Sequence, residues 1–128
     1  MTSFPTELRY TADHEWLRSQ GTSWRVGITQ FAVDQLGDIT LVDLPSVGDL
    51  VTKGQRFGTI ESVKSVSDLY APVSGKVVAI NTALKDAPES VNTAPYEAGW
   101  MIEIEPTEAA EISELMAHDA YTKHVAAQ

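Results

Sequence analysis

The chain contains no cysteine among its 128 residues. This absence excludes a disulfide framework and a cysteine-ligated metal site, so any sulfur redox chemistry would have to come from a bound group. The three histidines, His14, His118 and His124, have neither an i, i+4 spacing nor an HExxH arrangement. Their positions favour surface or core-edge roles over a metal site.

Positive charge is also scarce, with nine Lys and Arg against 18 Asp and Glu and a formal net charge of −9. Phosphate backbones are bound by clustered Lys and Arg, so we expect no nucleic-acid partner. The acidic composition favours solubility, and it would also steer the protein toward basic patches on partner enzymes.

Long apolar runs are missing as well. No run approaches the roughly 18–20 residues that span a bilayer, and residues 1–7 lack the basic and apolar regions of a secretory signal. We therefore expect a cytoplasmic, bacterial protein with no membrane partner.

What the chain does have is a series of short β patterns. Trp24, Val26 and Ile28 alternate with Ser23, Arg25 and Gly27, the period of a half-buried strand. Further strands are predicted within 14–18, 39–44, 66–70, 76–80 and 100–105, whereas 81–99 is predicted to be loop or short helical turns. The pattern predicts an antiparallel β sandwich or flattened barrel.

Helices are predicted at two places. Thr29 is expected to cap a short helix that ends at Gly37. Near the C-terminus, Thr107 is expected to cap a helix with an apolar stripe of Ile112, Leu115 and Met116, and 118–126 to form a second helix or its continuation. We therefore predict one domain, residues 1–128, with a β core over about 8–105 and a helical tail over 107–126.

The most informative stretch surrounds Lys64. This lysine lies between two strand-like segments, with Gly54 ten residues before it and Gly75 eleven after. We predict a lysine at a hairpin tip, with both glycines forming sharp turns. Glu61 and Asp68 would lie near the base of this hairpin. A lysine held away from the body can be acylated by an enzyme and swung between partners, although most lysines are solvated surface charges.

Several longer motifs occur in order along residues 8–123. They are His14-Glu15-Trp16, Val26-Gly27-Ile28-Thr29, Leu36-Gly37-Asp38, Glu61-Ser62-Val63-Lys64, Ala71-Pro72-Val73-Ser74-Gly75, and Asn92 followed by Pro95-Tyr96 and Gly99-Trp100. With these motifs the chain resembles the lipoyl-carrying H proteins of the glycine cleavage system. The resemblance implies a barrel-sandwich hybrid with lipoic acid in amide linkage to Lys64, within an attachment motif of Glu61, Ser62 and Val63.

The resemblance also implies a role as a carrier and not as an enzyme. Such a protein accepts an aminomethyl group from a pyridoxal-phosphate glycine decarboxylase, presents it to an aminomethyltransferase, and is reoxidised by dihydrolipoamide dehydrogenase. A separate enzyme attaches the lipoyl group, and we expect a monomer.

The family's loaded arm folds into a cleft on the protein. The resemblance places Glu15 and Asp68 there, together with His14, where carboxylates would hold a protonated amine by charge-assisted hydrogen bonds. Asp13 departs from the family, which more often has a small polar residue there; its carboxylate would either strengthen amine binding or lie in solvent. Trp16, Trp24 and Trp100 are expected to anchor the core and are assigned no chemistry.

Four alternatives stay open. A lipoyl domain of a 2-oxoacid dehydrogenase shares the glycine–lysine spacing, but usually reads DKA around the lysine and is shorter. A biotin carrier has methionines beside its lysine, where this chain has Val63 and Ser65. Some H-like proteins chiefly relay lipoyl groups to other complexes. A structural or adaptor β domain would leave Lys64 unmodified.

Overall fold

The computed structural model describes residues 4–127, which form nine strands and five short helices. The strands are β1 Arg9–Tyr10, β2 Glu15–Gln20, β3 Ser23–Ile28, β4 Ile39–Asp43, β5 Leu50–Val51, β6 Arg56–Ser62, β7 Val66–Tyr70, β8 Gly75–Ile80 and β9 Ile102–Pro106. The helices are α1 Gln30–Leu36, α2 Ala83–Asp86, α3 Ser90–Thr93, α4 Ala109–Ser113 and α5 His118–Ala126. No helix within the described residues is long and apolar enough to cross a membrane.

The strands form two antiparallel sheets. One has six strands in the order β1-β2-β3-β9-β8-β5, and the other has three in the order β4-β6-β7. Neither sheet closes into a barrel, and the main apolar core draws residues from both of them. The predicted mainly β, sandwich-like fold with a helical C-terminal segment is confirmed.

A tight contact between β2 and β3 fixes one end of the larger sheet. Trp16 is fully buried, and its indole Nε1 donates a hydrogen bond to the Pro95 carbonyl at 2.9 Å. A Cβ atom on Gly27, its cross-strand partner, would lie only 2.6 Å from the indole ring. Trp16 is therefore the core anchor that was predicted. Trp24 and Trp100 are half-buried and pack against the core from its edge.

Helix α1 begins and ends where the sequence predicts. The Thr29 hydroxyl accepts a hydrogen bond from the Ala32 amide at 3.4 Å, and Gly37 ends the helix with a φ of 80°. The Gly37 amide donates to the Val33 carbonyl at 2.9 Å. These local signals fix the two ends of α1, and Gly37 after the helix lies next to the Lys64 side chain.

The predicted Thr107 cap is wrong. Helix α4 begins one residue later than predicted, with Glu108 at the N-cap position and no side-chain cap. Thr107 precedes the helix, and its hydroxyl and amide both donate to the Ser74 carbonyl, at 3.4 and 3.0 Å. The helix also ends before Met116, which instead forms a β-bridge with Tyr10. Helix α5 is a separate second helix, one of the two predicted options.

Candidate functional site

Lys64 lies in the exposed turn between β6 and β7, as predicted. The Ser62 hydroxyl accepts hydrogen bonds from the Lys64 and Ser65 amides, both at 3.2 Å. The Ser62 amide in turn donates to the Ser65 carbonyl at 2.8 Å. A serine side chain that binds the amides two and three residues later orders a turn without glycine. The lysine is therefore presented on a defined loop.

The hairpin tip is also tied to the rest of the molecule. The Val63 amide donates to the Asp38 carbonyl at 3.0 Å. On either side of Asp38, Asn92 donates from Nδ2 to the Gly37 carbonyl at 2.9 Å and accepts at Oδ1 from the Ile39 amide at 2.8 Å. The Asn92 side chain thus fixes residues 37–39, the segment to which the hairpin tip is hydrogen-bonded.

The lysine stem passes over the end of α1. A Cβ atom on Gly37 would lie 2.9 Å from Lys64 Cε, so the missing side chain leaves room for the stem. Of the two glycines predicted to form sharp turns, Gly54 does so with a φ of 83°. Gly75 does not. It begins β8, where a Cβ would lie 2.4 Å from the Glu105 carbonyl oxygen, so it permits close approach of two strands.

A cavity of about 470 Å³ lies beside this turn, between α1, the start of β2 and strand β7. Its apolar wall includes Leu36, the residue before Gly37. Its polar and charged wall includes Asp13, His14, Glu15 and Asp68. The structure therefore brings together all three residues predicted for an arm pocket, and it adds Asp13 at the exposed mouth. We name this space the arm cavity.

Glu15 is the most deeply buried acid of this wall, with only 3% of its surface exposed. Its carboxyl group accepts hydrogen bonds from the Thr11 hydroxyl at 2.7 Å and from the Tyr70 backbone amide. Burial raises the pKa of Glu15 to about 8, and the nearby Asp13 charge contributes in the same direction. Glu15 is therefore largely protonated at neutral pH.

Asp68 lies at the rim, where solvent reaches it. Its side chain is 46% exposed, and Oδ1 lies 3.8 Å from Nη1 of Arg56. On β7 it alternates with Leu69, which is buried. An exposed ion pair of this kind contributes little binding energy, so Asp68 offers the cavity a weaker, solvent-screened charge.

His14 is held in an unusual backbone conformation with a φ of 70°. Its Nδ1 atom lies 2.7 Å from the hydroxyl of Tyr121, and its ring centroid lies 4.6 Å from that of Phe31, another cavity residue. The Tyr121 hydroxyl is also 2.7 Å from Oγ1 of Thr29. His14 is thus connected to both α1 and α5.

Two residues that hydrogen-bond to side chains of this wall were missed from sequence. Thr11 lies four residues before Glu15, so a local polar pairing could have been suspected. Tyr121 lies 107 positions after its partner His14, and no local pattern connects them.

The sequence and the fold match one family over nearly the whole chain. The profile described as "Glycine cleavage H-protein" matches residues 8–128. The chain is 54% identical over 121 residues to the glycine cleavage system H protein of Listeria monocytogenes serotype 4a (strain HCC23), which covers 94% of this chain and 97% of that protein. It is 52% identical over 125 residues to the H protein of Halalkalibacterium halodurans, covering 98% of each.

A solved structure agrees with these relatives. The crystal structure of a glycine cleavage system H protein from Mycobacterium marinum superposes with a TM-score of 0.88 and 43% sequence identity, covering 96% of this chain and 99% of that one. At 43% identity, the similar fold and the similar sequence both indicate membership of one family. The chain belongs to the glycine cleavage H-protein family.

Proposed function

We propose that this protein is the lipoyl-bearing carrier of a glycine cleavage system, with lipoic acid attached through an amide to Nζ of Lys64. The observation that carries the proposal is the exposed Lys64 on an ordered turn beside an acidic cavity. An attaching enzyme needs an accessible amine on a defined loop, and Ser62 orders this one.

The residues at this site fit a lipoyl group. The lysine stem has room over Gly37, and the neighbouring cavity wall includes Leu36 and Ile60, which suit an aliphatic chain. When bound, lipoic acid supplies the disulfide with which an aminomethyl group and electrons are carried. We propose that Glu61, Ser62 and Val63 form the motif that the attaching enzyme recognises.

Glu15 is proposed to bind the amine of the cargo. A cation that enters a cavity of low polarity favours the ionised form of a neighbouring carboxyl group. Glu15 would then lose its proton and accept a charge-assisted hydrogen bond from the amine. The apolar wall limits access of water to the bound group, while Asp13 and Asp68 add negative charge at the mouth.

We propose that the carrier serves a pyridoxal-phosphate glycine decarboxylase, an aminomethyltransferase and dihydrolipoamide dehydrogenase, and that it catalyses none of their reactions. Its net charge of −9 suits docking to basic patches on such partners. The family membership favours this role over a 2-oxoacid dehydrogenase lipoyl domain or a biotin carrier. A cytoplasmic monomer that folds as one carrier domain stays a prediction.

The test is an intact-mass measurement after expression with a lipoyl-attaching enzyme and lipoate, followed by peptide mapping. We expect a single lipoyl increment on Lys64. Lys64→Arg should lose the increment and keep the circular dichroism spectrum, because Lys64 is exposed. Lys76→Arg, at another exposed lysine, should keep both. An unmodified parent protein, or an increment that survives in Lys64→Arg, would contradict the proposal.

A further inference from the structure

The C-terminal helix reaches the arm cavity through one buried side chain. Tyr121 of α5 is fully buried, and its hydroxyl lies 2.7 Å from both His14 Nδ1 and Thr29 Oγ1. His14 lines the cavity and Thr29 caps α1, whose residues form the opposite wall. Tyr121 is therefore placed to fix these two parts of the wall relative to each other.

The direction of the hydrogen bonds follows from counting protons. Thr29 is fully buried, and its hydroxyl oxygen already accepts from the Ala32 amide. Its own proton needs an acceptor, and the Tyr121 oxygen lies in reach. The Tyr121 proton then points to Nδ1 of His14. A histidine that accepts at Nδ1 carries its proton on Nε2 when neutral.

We propose that Tyr121 is a positioning residue for the arm cavity. It holds His14 against the cavity wall as the neutral tautomer protonated at Nε2. The inference rests on the carrier function proposed above. A neutral imidazole leaves the negative charge of the wall uncompensated, whereas an imidazolium would repel the cationic amine. Tyr121 thus acts through His14 and touches no cargo itself.

The surroundings of Tyr121 make it a rigid support. Its ring stacks on Tyr10 with centroids 4.6 Å apart and an interplanar angle of 8°, and Phe4 packs edge-on at 4.8 Å. Burial raises the pKa of Tyr121 above its ordinary value, so the hydroxyl keeps its proton at neutral pH. His14 itself has a backbone φ of 70°, which the surrounding contacts must maintain.

The tautomer can be read directly by nitrogen NMR of protein labelled with ¹⁵N-histidine, recorded without lipoate at pH 8. We expect the His14 signals of the parent protein to show an unprotonated Nδ1 and a protonated Nε2. Tyr121→Phe keeps the ring and removes the hydroxyl, so its His14 signals should shift toward a mixture of tautomers. A parent His14 protonated at Nδ1 would overturn the proposal, even if Tyr121→Phe does not fold.

Tyr96→Phe is the matched control, because the Tyr96 hydroxyl also binds a part-buried group of α1, the Gln30 amide, at 2.8 Å. It should leave the His14 signals unchanged. Equal His14 spectra in the parent and in a folded Tyr121→Phe would overturn the positioning role. The same spectral change in Tyr121→Phe and in Tyr96→Phe would also overturn it.

The effect on cargo retention is measured on lipoylated protein loaded with the aminomethyl group. Loss of the tyrosine hydroxyl should raise the spontaneous release rate about two- to tenfold, the range expected for one hydrogen bond. Unchanged release would overturn the link to the cavity. Failure of the carrier function itself would appear separately, as a missing lipoyl increment in the parent protein.

Discussion

Replacement of Glu15 by glutamine should remove a pH-dependent loss of stability from the folded protein. The unfolded chain ionises Glu15 near its ordinary value of 4.5, whereas burial raises the pKa in the folded state to about 8. Between these values the folded protein binds a proton that the unfolded chain has released. Raising the pH through this window therefore favours unfolding.

The size of the effect follows from the same two values. At about 1.4 kcal/mol per pH unit, the interval from 4.5 to about 8 corresponds to a loss on the order of 5 kcal/mol. Protonated Glu15 makes its full contribution to the free energy of unfolding below pH 4.5. This contribution is about 3 kcal/mol lower at pH 7 and is lost above about pH 8. Glutamine resembles the protonated acid and keeps one acceptor oxygen but has no ionisable proton, so Glu15→Gln should not show this decline.

The assay is urea unfolding followed by tryptophan fluorescence at pH 5, 6, 7 and 8. The free energy of unfolding of Glu15→Gln should approach that of the parent at pH 5 and exceed it progressively as the pH rises. The other carboxylates are present in both proteins, so their pH effects cancel in the difference between the two free energies. Glu89→Gln, which replaces an exposed acid, should follow the parent curve. A difference in unfolding free energy between Glu15→Gln and the parent that stays constant from pH 5 to 8 would contradict a raised pKa of Glu15.

Two further predictions concern the hairpin and its support. Ser62→Ala removes the hydroxyl that accepts from two turn amides and should lower the initial rate of lipoyl attachment about two- to tenfold by mass spectrometry. Ser65→Ala should keep the parent rate, because Ser65 contributes only backbone atoms, and equal rates in all three proteins would argue against ordering by Ser62. Asn92→Ala should lower the free energy of unfolding by about 1–3 kcal/mol, because it leaves the Gly37 carbonyl and the Ile39 amide without their partner. Asn92→Asp keeps the acceptor and should lose less; a cost below about 0.5 kcal/mol for the alanine variant would contradict this role.

Local patterns predicted the features that depend on neighbouring residues. The alternation of Trp24, Val26 and Ile28 marks β3, because a strand turns successive side chains to opposite faces. Thr29 and Gly37 mark the two ends of α1, because their contacts lie within the helix itself. The Thr107 prediction failed for the opposite reason, since its hydroxyl and amide donate to the carbonyl of residue 74, distant in sequence, and the helix starts one residue later.

The strand pattern and the hairpin that carries Lys64 can therefore be read from the chain alone, as can a family resemblance that names Glu15, Asp68 and His14 together. How these three side chains differ depends on the packing of the folded chain. Glu15 is buried and largely protonated while Asp68 is solvated beside Arg56. His14 is fixed by Tyr121, 107 positions away. Burial and the pairing of distant hydrogen-bonding groups depend on how the sheets and α5 pack, and no local pattern contains that information.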